Sequence, residues 1–200
     1  MSGRGAAALR ASILGLLGAD RARIVLIAGF TAKDNGASVA IGLAKSLAAS
    51  GRDTVLVEMP GAASNLYEHF GVAAEPGLAE ALRTGTSPRT DTGVGDIEAL
   101  KLVVGGDAAG KADDLSASTA AGDYLIKAKE SGAWLVVLTA PASVSPTPVT
   151  LAPICDGTVL VATHGGTDRV RAAEVTAAMK IANARVLGIV MGPVGGALES

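Results

Sequence analysis

One short segment has the residue types and the spacing to bind an anion. It runs from Ala28 to Ser38, reads Ala-Gly-Phe-Thr-Ala-Lys-Asp-Asn-Gly-Ala-Ser, and leads from an apolar run directly into a helical pattern. In such a connection, backbone N–H groups and the helix N-terminus face the anion. The candidate phosphate-binding residues are therefore Lys33, Asn35, Gly36 and Ser38.

Two other segments carry groups of related chemistry. Glu58 follows the second apolar run. A second Gly-Lys run, residues 105–112, has the spacing of a phosphate-binding loop until its last position, where Ala112 replaces the required Ser or Thr. Asp113 and Asp114 come next and would repel a triphosphate. We interpret this second run as a flexible surface loop.

The histidines and the cysteine do not form a recognisable site. His69 and His164 have no Cys, His or paired acids at metal-ligand spacing, so no metal site is predicted. Cys155 is the only cysteine, which excludes a disulfide framework. It lacks a basic neighbour in sequence, and we expect it to pack in the interior.

The apolar runs predict the scaffold that positions these segments. They are rich in Val, Ile and Leu without strict alternation, which is typical of strands covered on both faces. Helical patterns separate most of them, so we expect an α/β fold of three layers, with a mostly parallel central sheet flanked by helices. Ligands bind outside the carboxyl ends of strands in such sheets. The six runs are Ile24–Ala28, Thr54–Val57, Leu100–Val104, Trp134–Leu138, Thr158–Val161 and Val186–Met191.

The helical patterns set the predicted domain limits. Residues 1–20 form an N-terminal helix or extension, residues 21–192 a single domain, and residues 193–200 a flexible tail. The extension has an apolar side made of Leu9, Ile13, Leu16 and Leu17. Further helices are predicted at Ser38–Ser50, Leu115–Glu130 and Thr167–Ile181, the last with Thr167 as its cap and Asp168 in its first turn.

Composition excludes several classes of protein. Seventeen basic and nineteen acidic residues give a net charge of -2, which argues against a basic nucleic-acid-binding protein. An apolar content of 49% excludes intrinsic disorder. The apolar stretches are far shorter than the ~20 residues of a spanning helix, and the N-terminal segment has no clear cleavage pattern. We therefore expect a cytoplasmic protein.

The order of these segments resembles the bacterial tyrosine kinases of capsule and exopolysaccharide synthesis, within the MinD/ParA group of deviant Walker ATPases. The resemblance covers nearly the whole chain. Residues 24–38 match the first strand and phosphate loop, while residues 65–71 and 77–85 are similar to the phenylalanine-glycine and glycine-leucine segments of the family. It implies a P-loop NTPase-like fold. In an active member, ATP and magnesium would be bound around the residues already singled out in the first loop and Glu58.

The departures from the family pattern fall on the site itself. Ala37 replaces the lysine that neutralises the β- and γ-phosphates, and Asp34 stands where the loop usually has glycine. Only Glu58 remains of the acidic motif after the second strand, and Thr139 takes the place of a metal-binding aspartate. Losing the lysine and the metal carboxylate removes much of the stabilisation of the transition state. We therefore expect a pseudokinase without a cofactor.

The resemblance also implies partners. We expect a non-catalytic protein that regulates or assists exopolysaccharide or capsule biosynthesis and export, held at the inner face of the membrane by a membrane-embedded co-polymerase or export protein. In the family, a glutamate and two arginines at three-residue spacing help subunits associate. Only Arg10 survives of these, because Ala7 and Ile13 occupy the other positions. A homo-oligomer is left open, with Arg10 as its candidate interaction residue; for Arg10 alone, a solvated helix face is expected.

Two alternatives remain at this point. One is a divergent ATPase or tyrosine kinase that uses Lys33 and Glu58 in an unorthodox site. The other is a MinD/ParA-like switch that binds nucleotide without hydrolysing it and changes partners with its ligand. In place of ring assembly of the family type, we expect the apolar side of the N-terminal helix, with Ile13, Leu16 and Leu17, to dock either on the domain itself or on a partner.

Overall fold

Seven strands form one sheet, in the order β3-β4-β2-β5-β1-β6-β7, within the residues that the computed structural model describes, which are 1–62, 64–163 and 168–192. The strands are β1 (Ile24–Gly29), β2 (Thr54–Glu58), β3 (Asp91–Thr92), β4 (Leu100–Val103), β5 (Trp134–Leu138), β6 (Gly157–Thr163) and β7 (Val186–Gly192). The α-helices are α1 (Gly3–Leu17), α2 (Gly36–Ala49), α3 (Leu66–Phe70), α4 (Leu78–Thr84), α5 (Ala112–Ser116), α6 (Thr119–Glu130), α7 (Thr147–Leu151) and α8 (Arg169–Ile181).

All six predicted strands are present, and they pair in parallel. The seventh, β3, pairs antiparallel with β4 at the sheet edge. Sequence analysis missed it because Asp91 and Thr92 form no apolar run. β1 and β5 are buried along their whole length, as expected for strands covered on both faces.

Helices cover both faces of the sheet and complete the predicted three-layer α/β fold. On one face, Val39, Leu43 and Leu47 of α2 pack against alternate residues of β1 such as Val25 and Ile27. On the other, Leu125 of α6 and Met179 of α8 belong to a second cluster with Ile24 and Leu26. Each strand therefore contributes its alternate side chains to two separate cores.

The N-terminal helix α1 packs on α2 of the same chain. Ile13 and Leu17 are buried there, while Leu16, predicted on the same apolar side, is 51% exposed. Arg10 is half-buried and donates a hydrogen bond from Nη1 to the carbonyl of Ser46 at 2.8 Å. The expectation of a solvated Arg10 is therefore wrong, because this side chain joins α1 to α2.

Two helix boundaries differ from the prediction. The single helix predicted at Leu115–Glu130 is two helices, α5 and α6, because the Ser118 hydroxyl caps α6 by accepting from the Ala121 N–H at 3.3 Å. Asp168 caps α8, accepting from the Val170 N–H at 3.1 Å. Thr167, His164 and the predicted tail 193–200 lie outside the described residues.

Cys155 is buried, as predicted, and its Sγ donates to the carbonyl of Leu151 at 3.3 Å. Burial raises the pKa of this thiol to about 12, so the reactive thiolate does not form near neutral pH. Among the described helices, none combines the length and the apolar character needed to cross a membrane.

Candidate functional site

The loop between β1 and α2 lies at the carboxyl end of a central strand. β1 pairs with β5 on one side and β6 on the other. Gly36, the first residue of α2, lies close to the ends of both β1 and β5: a Cβ at this position would be 3.4 Å from Leu138 Cδ1 and 3.7 Å from the Gly29 nitrogen. The helix N-terminus therefore sits against the sheet edge where this fold binds ligands.

The carboxylate of Asp34 lies inside this loop. Asp34 is only 7% exposed. Its Oδ2 atom accepts hydrogen bonds from the Thr31 backbone N–H at 2.7 Å and from the Thr31 hydroxyl at 3.1 Å. A Cβ at Gly29 would be 3.1 Å from the Asp34 Cβ, so the absence of a side chain there makes room for this residue. The Asp34 carboxylate thus accepts the hydrogen bond from the Thr31 N–H that a bound phosphate would need.

Most of the other N–H groups of the loop are also used internally. Lys33 N donates to the Thr31 hydroxyl, Asp34 N to the Thr31 carbonyl, and Gly36 N to the Asp34 carbonyl. Ser38 N donates to Asn35 Oδ1 at 3.0 Å, which makes Asn35 the N-cap of α2. Because these donors already have acceptors, a bound phosphate would have to replace them.

The structure brings together the four loop residues predicted from sequence: Lys33, Asn35, Gly36 and Ser38. The side chain of Lys33 is exposed and makes no hydrogen bond or ion pair within the described part of the chain. Ser38 Oγ accepts a hydrogen bond from the Met1 nitrogen at 2.5 Å. Among the side chains of residues 28–38, Lys33 carries the one positive charge.

Glu58 lies elsewhere. It ends β2, and β5 separates β2 from β1 in the sheet. The Glu58 carboxylate is buried and accepts from the Gly105 N–H at 3.1 Å and from the backbone N–H and hydroxyl of Ser64. It lines a cavity of about 400 Å³ with residues such as Tyr67, Glu75 and Gly105, and none of residues 31–38 is among the lining residues. Its contacts hold the ends of β2 and β4 together.

Thr139 follows β5, where an aspartate was expected from the resemblance. It is buried, and its hydroxyl donates to the Ile27 carbonyl at 3.4 Å. This end of β5 therefore offers a hydroxyl that is already bonded and no carboxylate.

The second Gly-Lys run is held at its start by Glu80, an acid that sequence analysis did not single out. Glu80 accepts from the N–H groups of Asp107 at 2.9 Å and Gly77 at 2.8 Å. Burial opposes ionisation of Glu80, but these hydrogen bonds and Arg83 outweigh it and lower its pKa. Glu80 therefore holds the start of this loop; the predicted surface position is confirmed by exposed residues 107 and 109–111, and the flexibility stays a prediction. The Gly-x-x-Glu spacing was the available signal, since glutamate at the third helical position commonly bonds the cap N–H.

The described residues do not fit a magnesium-triphosphate complex. Such a complex needs a cation beside the β- and γ-phosphates, free N–H donors, and oxygen ligands that hold the metal. Ala37 has no charge, the loop carries the Asp34 carboxylate, and Thr139 donates to the backbone. In the described part of the chain, no cluster of three or more Asp, Glu, His or Cys is arranged to hold a metal ion.

Comparison with known proteins supports the fold. No family model and no curated protein matches the chain. The kinase domain of Escherichia coli tyrosine kinase ETK matches with a TM-score of 0.85 at 18% identity, over 99% of this chain and 79% of that one. The VpsO kinase domain matches with a TM-score of 0.82 at 19% identity, over 96% of each chain. A ParA family ATPase from Chlorobium tepidum TLS matches at 0.65 and 14% identity, over 86% and 73%.

These identities support a conclusion about the fold alone. The chain has the P-loop ATPase-like fold of the tyrosine kinase domains and of the ParA family ATPase. The resemblance inferred from the sequence is confirmed at that level.

The position of Glu58 predicts a structural effect of its removal. Glu58→Ala leaves the Gly105 N–H and the Ser64 donors without their acceptor, so we expect the free energy of unfolding to fall by about 2–3 kcal/mol. Urea unfolding followed by circular dichroism measures this change. Glu98→Ala is the matched control, because Glu98 is exposed and its side chain makes no described hydrogen bond; it should change stability by less than about 0.5 kcal/mol. Equal stability of the two variants would contradict the assigned role.

Proposed function

We propose that this chain is a catalytically inactive counterpart of the bacterial tyrosine kinase domains, and that it acts as a cytoplasmic partner or regulator in exopolysaccharide or capsule biosynthesis and export. The observation that carries the proposal is the Asp34 carboxylate bound to the Thr31 N–H inside the first loop. A phosphate entering this loop would have to displace a group of the same charge.

Electrostatics support the loss of nucleotide binding. Two unit charges of like sign about 4 Å apart repel by about 4 kcal/mol at the effective dielectric constant of a protein surface. A repulsion of that size between a buried carboxylate and a triphosphate lowers the affinity by about 1,000-fold. The usual compensation is the ammonium that follows the last glycine, and here that position is Ala37. Lys33 is exposed and lies three residues before Gly36.

The retained fold supports a binding role. The likeness to the ETK and VpsO kinase domains extends over nearly the whole chain, while the loop at the expected active site uses its own donors internally. The cores on both faces of the sheet do not depend on the missing charged groups. A chain that keeps the fold without these groups can still present the surfaces of a kinase domain. We infer that a membrane-embedded polysaccharide co-polymerase or export protein is the partner.

Nucleotide binding tests the inactive site. We expect neither Mg-ATP nor Mg-ADP at millimolar concentration to raise the melting temperature of the wild-type chain, and we expect no phosphate release. The variant Asp34→Gly/Ala37→Lys removes the carboxylate and supplies the cation. It should gain a nucleotide-dependent rise in melting temperature of several degrees, because a ligand at a hundred times its Kd adds about 2.7 kcal/mol.

The control for this experiment carries the same change of charge away from the loop. Asp96→Gly/Ala49→Lys alters two exposed positions, and glycine suits the φ of 58° at Asp96. It should bind no nucleotide. A saturable rise in the wild-type melting temperature would overturn the proposal. Binding without phosphate release would then support the nucleotide switch, and binding with release would support the divergent enzyme.

The pathway is tested in cells that lack the gene. We expect the deletion to change the amount or chain length of the exopolysaccharide, measured by size-exclusion chromatography. Both the wild-type chain and the variant Lys33→Met should restore it, because the proposed role needs no cation in the loop. An unchanged polysaccharide after deletion would contradict the pathway. Failure of Lys33→Met alone, at normal protein level, would contradict the absence of catalysis.

A further inference from the structure

A second recess lies away from the β1–α2 loop, between α4 and α6. It has a volume of about 550 Å³, within the range of small-molecule sites. Val55 of β2 and Lys101 of β4 contribute to it from the sheet, and these two residues pair in the register of the two strands. Leu82 of α4 is half-buried and adds apolar surface, while Leu78 is fully buried. We call this recess the α4–α6 groove.

Lys101 is an unusual residue for its place. The other three residues of β4 are buried and apolar. Alternation along the strand puts Lys101 on the same face as Val103, which packs in the core beneath α4 and α6. Its ammonium group makes no hydrogen bond or ion pair with any described residue. This unpaired ammonium group is available to an anion that enters the groove, and a charge-assisted hydrogen bond to such an anion is a strong one.

Other donors line the same groove. Lys127 of α6 is exposed there and also lacks an ion pair within the described chain. Tyr124 is half-buried, and burial raises its pKa to about 12, so its hydroxyl keeps its proton and can donate. Asp123 is the one carboxylate among the lining residues. Two ammonium groups against one carboxylate leave the groove with a net positive charge.

We propose that the α4–α6 groove binds a small amphiphilic anion, a phosphate or carboxylate that carries an apolar chain. The anionic group is bound by Lys101 and Lys127, with the Tyr124 hydroxyl as a further donor. The apolar chain packs on Leu82, Pro88 and Ala128, which are half-buried apolar residues of the lining, and is removed from water there. This site is independent of the proposed function, because it shares no residue with the loop 28–38 or with the cavity beside Glu58.

Octyl phosphate, below its micelle-forming concentration, is the probe. Isothermal titration calorimetry on the full chain should show saturable binding, and amide chemical-shift changes should map to α4, α6 and β4. Inorganic phosphate and octyl glucoside each carry half of the chemistry and should bind at least about 10-fold more weakly, since a charge-assisted hydrogen bond and a buried alkyl chain each contribute at least that factor.

Three variants test the residues. Lys101→Met keeps the unbranched apolar part of the side chain, removes the ammonium group, and should weaken octyl phosphate binding by about 10-fold. Lys127→Met should weaken it by a smaller factor, because Lys127 is more exposed, and it keeps the test available if the first variant does not fold. Lys180→Met removes an exposed charge at the end of α8 and should leave binding unchanged. Circular dichroism confirms that each variant is folded.

The outcomes are decisive in both directions. The proposal would be overturned if octyl phosphate did not bind, or if both lysine variants bound it as tightly as the wild-type chain. It would also be overturned if octyl glucoside bound as tightly as octyl phosphate. Sedimentation with phosphatidylcholine vesicles containing phosphatidylglycerol identifies the source of the anion. Lys101-dependent sedimentation assigns a lipid headgroup, and binding of octyl phosphate without sedimentation assigns a free metabolite of the same chemistry.

Discussion

The hydrogen bond from the Thr31 N–H to the Asp34 carboxylate is the interaction on which the functional account depends. It places a negative charge where this fold receives a phosphate, inside a loop whose remaining donors are mostly bonded to one another. The missing lysine at position 37 and the missing carboxylate at Thr139 each oppose phosphate binding less strongly, because another residue can replace a lost charge. The Asp34 carboxylate inside the loop repels a phosphate directly.

The fold does not depend on that site. The sheet is held by two cores of aliphatic side chains, one on each face, and the site residues lie beyond the strand ends. Glu58 illustrates the separation: the residue that resembles a metal-site acid instead holds Ser64 and Gly105 in place. A chain can therefore lose the chemistry of this fold and keep its shape, and that shape remains available to partners and to ligands such as the one proposed for the α4–α6 groove.

The sequence was informative where burial dictates residue type. Continuous aliphatic runs predicted every strand of the parallel sheet, and the glycine-rich connection after β1 predicted the position of the site. Hydrogen bonds between distant segments could not be predicted from the sequence. Arg10 donates to the Ser46 carbonyl and the Asp107 N–H donates to Glu80, and no local pattern links the residues of either pair. For Asp34, the sequence showed an aspartate where the loop usually has glycine, and the structure adds that the carboxylate is buried and bonded. Lys101 was not singled out from the sequence, because its significance comes from the helices packed over it.

Titration of the loop amides by NMR is the most direct test of the central interaction. The Thr31 amide resonance should stay unchanged when Mg-ATP is added to millimolar concentration, and it should shift when Asp34 is replaced by alanine, because the carboxylate is its acceptor. A saturable change in the Thr31 amide shift on addition of Mg-ATP to the wild-type chain would show that phosphate displaces the carboxylate, and would contradict the account.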